Sequence, residues 1–149
     1  EPIADIRVRH SALRAVDVPP ARAPSMIDEY PILAVAAAAA SGRTIMRGLE
    51  ELRVKESDRL VSTFNMLRCC GVKANLEPDG LVVESAGDVL GGGNRVTTQL
   101  DHRIAMAALV AGMVSKSSVE IDRDEMINTS FPGFVELANS LGASIEPVL

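Results

Sequence analysis

Asp28-Glu29-Tyr30-Pro31-Ile32-Leu33-Ala34-Val35-Ala36-Ala37-Ala38-Ala39-Ala40-Ser41-Gly42 reads as a helix over Asp28–Ser41 with its stop attached. Alanine is the best helix former, and Pro31 falls in the first turn, where a missing N–H costs little. Gly42 supplies the left-handed exit. A second Ala- and Met-rich helix opens at Asp101 and runs to Val114. Asp28 and Asp101 differ by 73 positions, as do Gly42 and Ser115. Gly71 and Gly142 differ by 71, so two copies of one unit align with a short deletion between them.

Working outward, the first copy continues with a strand over Thr44–Leu49 and a helix over Glu56–Cys70 that ends at Gly71. That helix presents Leu60, Phe64, Leu67 and either Cys70 or Met66 on one face. Val72–Leu76 and Leu81–Glu84 flank Glu77-Pro78-Asp79-Gly80, a turn with strong hairpin chemistry. In the second copy the spacing predicts a strand over Ser118–Asp122, a helix over Pro132–Leu141 and a final strand over Ala143–Glu146. The unit is helix, strand, helix, hairpin, an α+β pattern of sheets covered by helices. Gly91-Gly92-Gly93 has neither Walker nor Rossmann spacing and reads as a flexible connector. Ahead of both copies, Ala4–Val18 alternates like a hairpin, and Pro19, Pro20 and Pro24 keep the next segment extended. That hairpin resembles the tail of an earlier copy. The expected division is therefore 1–24 as tail and loop, 25–86 as one unit and 87–149 as the next, all cut from a longer polypeptide.

Composition narrows the function classes. The chain has 149 residues, 47% hydrophobic and 23% charged, with a formal charge of −5. That is enough apolar surface for a core, and the acidic balance lacks the basic footprint of nucleic-acid binding. The most apolar run, Ile32–Ala40, is far too short to cross a bilayer, and the acidic N-terminal residues do not read as a signal peptide. The cysteines are the neighbours Cys69 and Cys70, read as reduced thiols of a cytosolic protein. His10 and His102 lack metal-ligand spacing, so no metal is expected.

Three polar clusters stand at helix starts. In Arg53-Val54-Lys55-Glu56-Ser57-Asp58-Arg59, the spacing predicts Lys55, Glu56 and Arg59 within one turn. Two cations around one carboxylate can hold an anion beside a proton-transfer group, or can simply be an exposed helix start with ordinary ion pairs. In Asp101-His102-Arg103, the Arg fork suits a carboxylate or phosphate and the Asp suits an N-cap. In Ser25-Met26-Ile27-Asp28-Glu29, Asp28 is either another cap or a catalytic carboxylate. Should the three starts converge, their dipoles and cations face one cavity suited to polyanionic substrates.

Leu52-Arg53-Val54-Lys55-Glu56-Ser57-Asp58-Arg59-Leu60, Leu100-Asp101-His102-Arg103-Ile104-Ala105-Met106 and Ser130-Phe131-Pro132 together resemble the 3-phosphoshikimate 1-carboxyvinyltransferase (5-enolpyruvylshikimate-3-phosphate synthase) family. Ser25–Pro31 is similar to its alphaproteobacterial, glyphosate-tolerant branch. The resemblance implies repeated β-α-β-α-β-β units with sheets around buried helices, two of them plus the tail of a third, forming a single partial C-terminal domain. The family's site lies in a cleft shared with an N-terminal domain, here missing. The implied enzyme is monomeric and cytoplasmic, and works without a metal or organic cofactor.

The implied reaction adds the 5-hydroxyl of shikimate 3-phosphate to C2 of phosphoenolpyruvate and then expels phosphate. By position in the motifs, Asp28 accepts the hydroxyl proton and Glu56 handles the proton at the methylene carbon. Lys55 contacts the shikimate phosphate substrate, and Arg59 and Arg103 bind phosphoenolpyruvate with His102 beside them. Two positions depart from the pattern: Glu51, where many members have Asn, and Thr129, where many have Lys. No role is carried over to either. The related enolpyruvyl transferase acting on UDP-N-acetylglucosamine is one alternative, and a non-catalytic interaction module on the same fold is another. The fragment by itself is expected to be inactive.

Overall fold

The computed structural model describes residues 3–148, so the extreme ends of the expected 1–149 division lie outside the described residues. A four-stranded sheet has the order β1-β2-β4-β3, formed by Asp17–Val18 (β1), Ser41–Met46 (β2), Lys73–Glu77 (β3) and Gly80–Ala86 (β4). β1 runs parallel to β2, and the remaining neighbours are antiparallel. β2 pairs with β4 from Ser41↔Ala86 to Met46↔Leu81, and this partner sets its bounds a few residues earlier than apolar alternation suggests. The predicted hairpin forms, with Glu77 opposite Gly80 across the Pro78-Asp79 turn.

Helices α2 (Tyr30–Ala38), α3 (Arg59–Cys69) and α4 (His102–Met113) pack on one another, and α2 and α3 also cover the sheet. α2 is apolar on every side, as a helix between layers must be, and buries Ala34, Val35, Ala37 and Ala38. α4 packs on it and buries Ala107, Ala108 and Ala111 in the same core. Small side chains let these axes come close. On the far side of α3 and α4 lies a two-stranded parallel sheet of Arg95–Val96 (β5) and Glu120–Ile121 (β6). Buried helices between sheets are the α+β arrangement implied by the resemblance.

Several local expectations are corrected. No hairpin forms over Ala4–Val18: the described residues before Asp17 carry no strand beyond the isolated Arg14↔Ser41 bridge. Ile3, Ile6 and Val8 are exposed, so their alternation has no surface to pack against. The segment after Pro19 is helical rather than extended, with turns at Pro20–Arg22, Ala23–Met26 (α1) and Ile27–Glu29. Pro20 and Pro24 occupy first-turn positions, where the missing N–H is not needed. The 28–41 helix is accordingly shorter than expected at both ends.

Toward the C-terminus a short unexpected helix, Ile127–Ser130 (α5), precedes the expected Pro132–Leu141 helix, which forms as Phe134–Ser140 (α6), entered through Gly133 at φ +79°. No strand forms over Ala143–Glu146. The Asn139 amide instead takes the N–H and C=O of Ile145, both at 2.9 Å, as a neighbouring strand would. Gly91–Gly93 is no loose connector. Gly91 and Gly92 donate to the Cys70 carbonyl and Gly93 to that of Ser118. A Cβ on Gly92 (φ +70°) would sit 2.0 Å from the Ser117 carbonyl oxygen. The glycines are there because backbone meets backbone.

Candidate active site

α3 starts later than the pattern suggests. Asp58 is its N-cap, accepting from the Val61 N–H at 3.0 Å, and Lys55 is extended at the end of the short 3-10 turn Glu50–Val54. Lys55, Glu56 and Arg59 therefore do not share a helical turn. They are gathered instead by the reach of Arg59. Its side chain is 1% exposed, and its Nη1 donates to Asp28 Oδ1 at 2.9 Å. Its Nη2 binds Glu56, and its Nε donates to Asp101 Oδ2 at 2.8 Å. One guanidinium thus joins the starts of all three clusters.

Asp101 is wholly buried and does two jobs. Its Oδ1 caps α4, accepting from the Arg103 N–H at 2.9 Å, and its Oδ2 also accepts from the Ser57 hydroxyl at 3.0 Å. Burial pushes this carboxyl up, but the hydrogen bond and charge of Arg59, with the Arg103 N–H and Ser57, outweigh burial and hold it below the usual aspartate value. Just before it, Gln99 (φ 55°) and Leu100 (φ 58°) are both left-handed. Asp122 anchors that turn by accepting from both the N–H and the hydroxyl of Thr98 at 2.8 Å.

Lys55 Nζ lies 2.7 Å from Glu51 and 3.4 Å from Asp28. The hydrogen bond to Glu51 first, and then the charge of Asp28, keep the ammonium above the ordinary lysine value against the opposing effect of desolvation. Arg103 Nη1 donates to the Asp28 carbonyl at 2.9 Å and to Glu29 at 2.8 Å, linking α4 to the approach of α2. A cleft of about 400 Å³ opens here, lined by Asp28, Glu29, His102, Arg103, Ser130 and Phe131 among others. Glu56 lies on a second cleft, with Ser57 and Gln99. Arg59 lines neither, and sits behind both.

The structure thus brings Asp28, Lys55, Glu56 and Arg59 into one network and places His102 and Arg103 on the adjoining cleft. Three participants escaped the sequence reading: Asp101 as a counter-ion, Glu29 as the partner of Arg103, and Glu51 as the partner of Lys55. An Arg one residue after a capping Asp, in a run otherwise bound for the core, was the available signal for a buried acid elsewhere.

The sequence model of the EPSP synthase (3-phosphoshikimate 1-carboxyvinyltransferase) family matches residues 1–137. A protein of Phenylobacterium zucineum named 3-phosphoshikimate 1-carboxyvinyltransferase is 57% identical over 97% of this chain and 32% of its own length. One of the same name from Paramagnetospirillum magneticum is 60% identical over 98% of this chain and 33% of its own. The solved EPSP synthase of Acinetobacter baumannii superposes with a TM-score of 0.86 at 38% identity, covering 91% of this chain and 32% of that one. The chain spans about a third of the length of the curated relatives it matches. With its three polar clusters gathered on one guanidinium and these likenesses along nearly its whole length, the chain belongs to the EPSP synthase family.

Proposed function

We propose that this chain is part of the C-terminal domain of an enzyme that transfers the enolpyruvyl group of phosphoenolpyruvate to the 5-hydroxyl of shikimate 3-phosphate and releases phosphate. The observation that carries the reading is the convergence of residues 28, 56 and 101 on the buried Arg59, with Arg103 fastened to the same stretch. Asp28, between Lys55 and Arg59, takes the hydroxyl proton as the C–O bond forms at C2. Glu56 delivers a proton to the methylene carbon and removes one again as phosphate leaves. Both proton-transfer groups lean on one cation, so their separation is fixed by a rigid part rather than by loops.

Arg59, buried behind both clefts and held by Asp28, Glu56 and Asp101, lends its charge to phosphoenolpyruvate binding from behind the cleft wall. Arg103 and His102 supply donors from the cleft wall, and Lys55 meets the shikimate phosphate. The remaining wall belongs to the N-terminal part of the enzyme. The setting is cytoplasmic and the whole enzyme monomeric; among the described residues no helix is long and apolar enough to cross a membrane.

The test is a chimaera in which this segment replaces the equivalent third of the Paramagnetospirillum magneticum relative, assayed for phosphate release. Release dependent on both phosphoenolpyruvate and shikimate 3-phosphate is expected. Release dependent on UDP-N-acetylglucosamine would assign the related transferase instead, and a folded but inactive chimaera would leave an interaction module.

A further inference from the structure

Arg53 belongs to the most polar stretch of the chain, yet no substrate role falls to it. Its Nη1 donates to Asp58 Oδ2 at 2.9 Å, its Nε to the Pro78 carbonyl at 3.1 Å and its Nη2 to the Glu77 carbonyl at 3.2 Å. The two carbonyls belong to the β3–β4 turn, which is itself immobilised. A Cβ on Gly80 would lie 2.2 Å from the Met46 carbonyl oxygen, so the turn presses on the end of β2. The Leu49 N–H also donates to the Asp79 main-chain carbonyl at 2.7 Å. At the other end, Asp58 is held by its cap bond to α3.

Between Arg53 and Asp58 lie Val54, Lys55, Glu56 and Ser57. Leu52 on one side and Leu60 on the other are 1% exposed, but Val54 is 80% exposed. Hydrophobic packing therefore fixes the flanks of this segment and not its middle, where Lys55 and Glu56 stand. We propose that Arg53 is a positioning residue: by bridging Asp58 to the hairpin turn, it closes a short loop whose crown carries Lys55 and Glu56 at their working separation from Asp28. The proposal rests on the functional reading above. Only a guanidinium suits the post, because a planar fork meets two carbonyls and a carboxylate at once, whereas an ammonium is a single point charge.

The chimaera tests it with Arg53→Gln, Arg53→Lys and Asp58→Ser. Serine caps a helix about as well as aspartate but has one oxygen, which the cap uses, so Asp58→Ser removes the clamp and leaves α3 capped. Arg53→Gln is expected to lower kcat by roughly ten- to a hundred-fold, with Arg53→Lys in between. Asp58→Ser should give a similar loss with little change in melting temperature, and the double variant should be no worse than the poorer single one. If Arg53→Gln does not fold, Asp58→Ser carries the test. Unchanged kcat per folded molecule in Asp58→Ser, or losses that multiply in the double variant, would overturn the clamp. An unsubstituted chimaera that folds without transferring the enolpyruvyl group would overturn the functional reading, and this role with it.

Discussion

Arg59 Nε donates to Asp101 Oδ2 at 2.8 Å between side chains that are 1% and 0% exposed, so the starts of α3 and α4 are joined by an ion pair that water does not reach. Removing two charges from water costs several kcal/mol per ion, offset only where the geometry is good and the other polar atoms are bonded. Here the acid has Ser57 and the Arg103 N–H as further donors, and the base has Asp28 and Glu56 as further acceptors.

Asp101→Asn keeps a side-chain oxygen for the α4 cap but deletes the charge. It should destabilise the fold by about 3 kcal/mol at neutral pH, measured by urea denaturation. Because the native carboxyl is held below its unfolded value, its contribution is present above about pH 4 and is lost as pH falls through the lowered native value. The gap between wild type and variant should therefore narrow in acid. A gap of equal size at neutral pH and at about pH 3 would contradict this sign.

Glu56→Gln in the chimaera should reduce turnover by roughly 100-fold or more with little loss of substrate binding, since the amide keeps the shape but cannot exchange the proton. Its side chain is about half exposed, so the melting temperature should hardly move. An intact kcat with a raised KM would make Glu56 an ordinary partner of Arg59.

The adjacent thiols should differ in reactivity. Cys70 is buried, and burial first, with Cys69 beside it, pushes its thiol up to about 11. Cys69 is half-buried. An alkylating reagent near neutral pH should modify Cys69 in the native protein and reach Cys70 only after denaturation, as read by peptide mass spectrometry. Equal native labelling of both would contradict the packing of α3.

Gly92→Ala should cost well over 1 kcal/mol, since the new methyl meets the Ser117 carbonyl and the backbone is left-handed. Gly142→Ala is the control: it is also left-handed, at φ +104°, but nothing lies within 4 Å of its Cβ. It should lose only the conformational part, about 1 kcal/mol. Similar melting temperatures for the two variants would show that the Gly92 contact relaxes freely.

Much of this was legible because local chemistry and tertiary demand agree at particular residues. Asp101 reads as a cap and is one, Gly71 ends its helix with φ +74°, and Pro78-Asp79 turns its hairpin. The two helices begin at Tyr30 and His102, close to the expected spacing, and Arg103 ties their starts together. What escaped depends on neighbours far away in sequence. Nothing local tells that Arg59 is buried while Val54 is exposed, nor that Glu51 reaches Lys55. Ala4–Val18 and Ala143–Glu146 carry strand-like alternation, but a strand exists only where a partner edge lies beside it. The glycine run looked slack because its tight contact, the Ser117 carbonyl, comes from further along the chain.

The packing of α4 on α2 bears on how far this chain can be divided. α4 rests on α2 and α3, and β5–β6 is far too small to shelter it. Severing the polypeptide near residue 87 would therefore strip α4 of the helices that cover it, and the later segment would have no interior of its own.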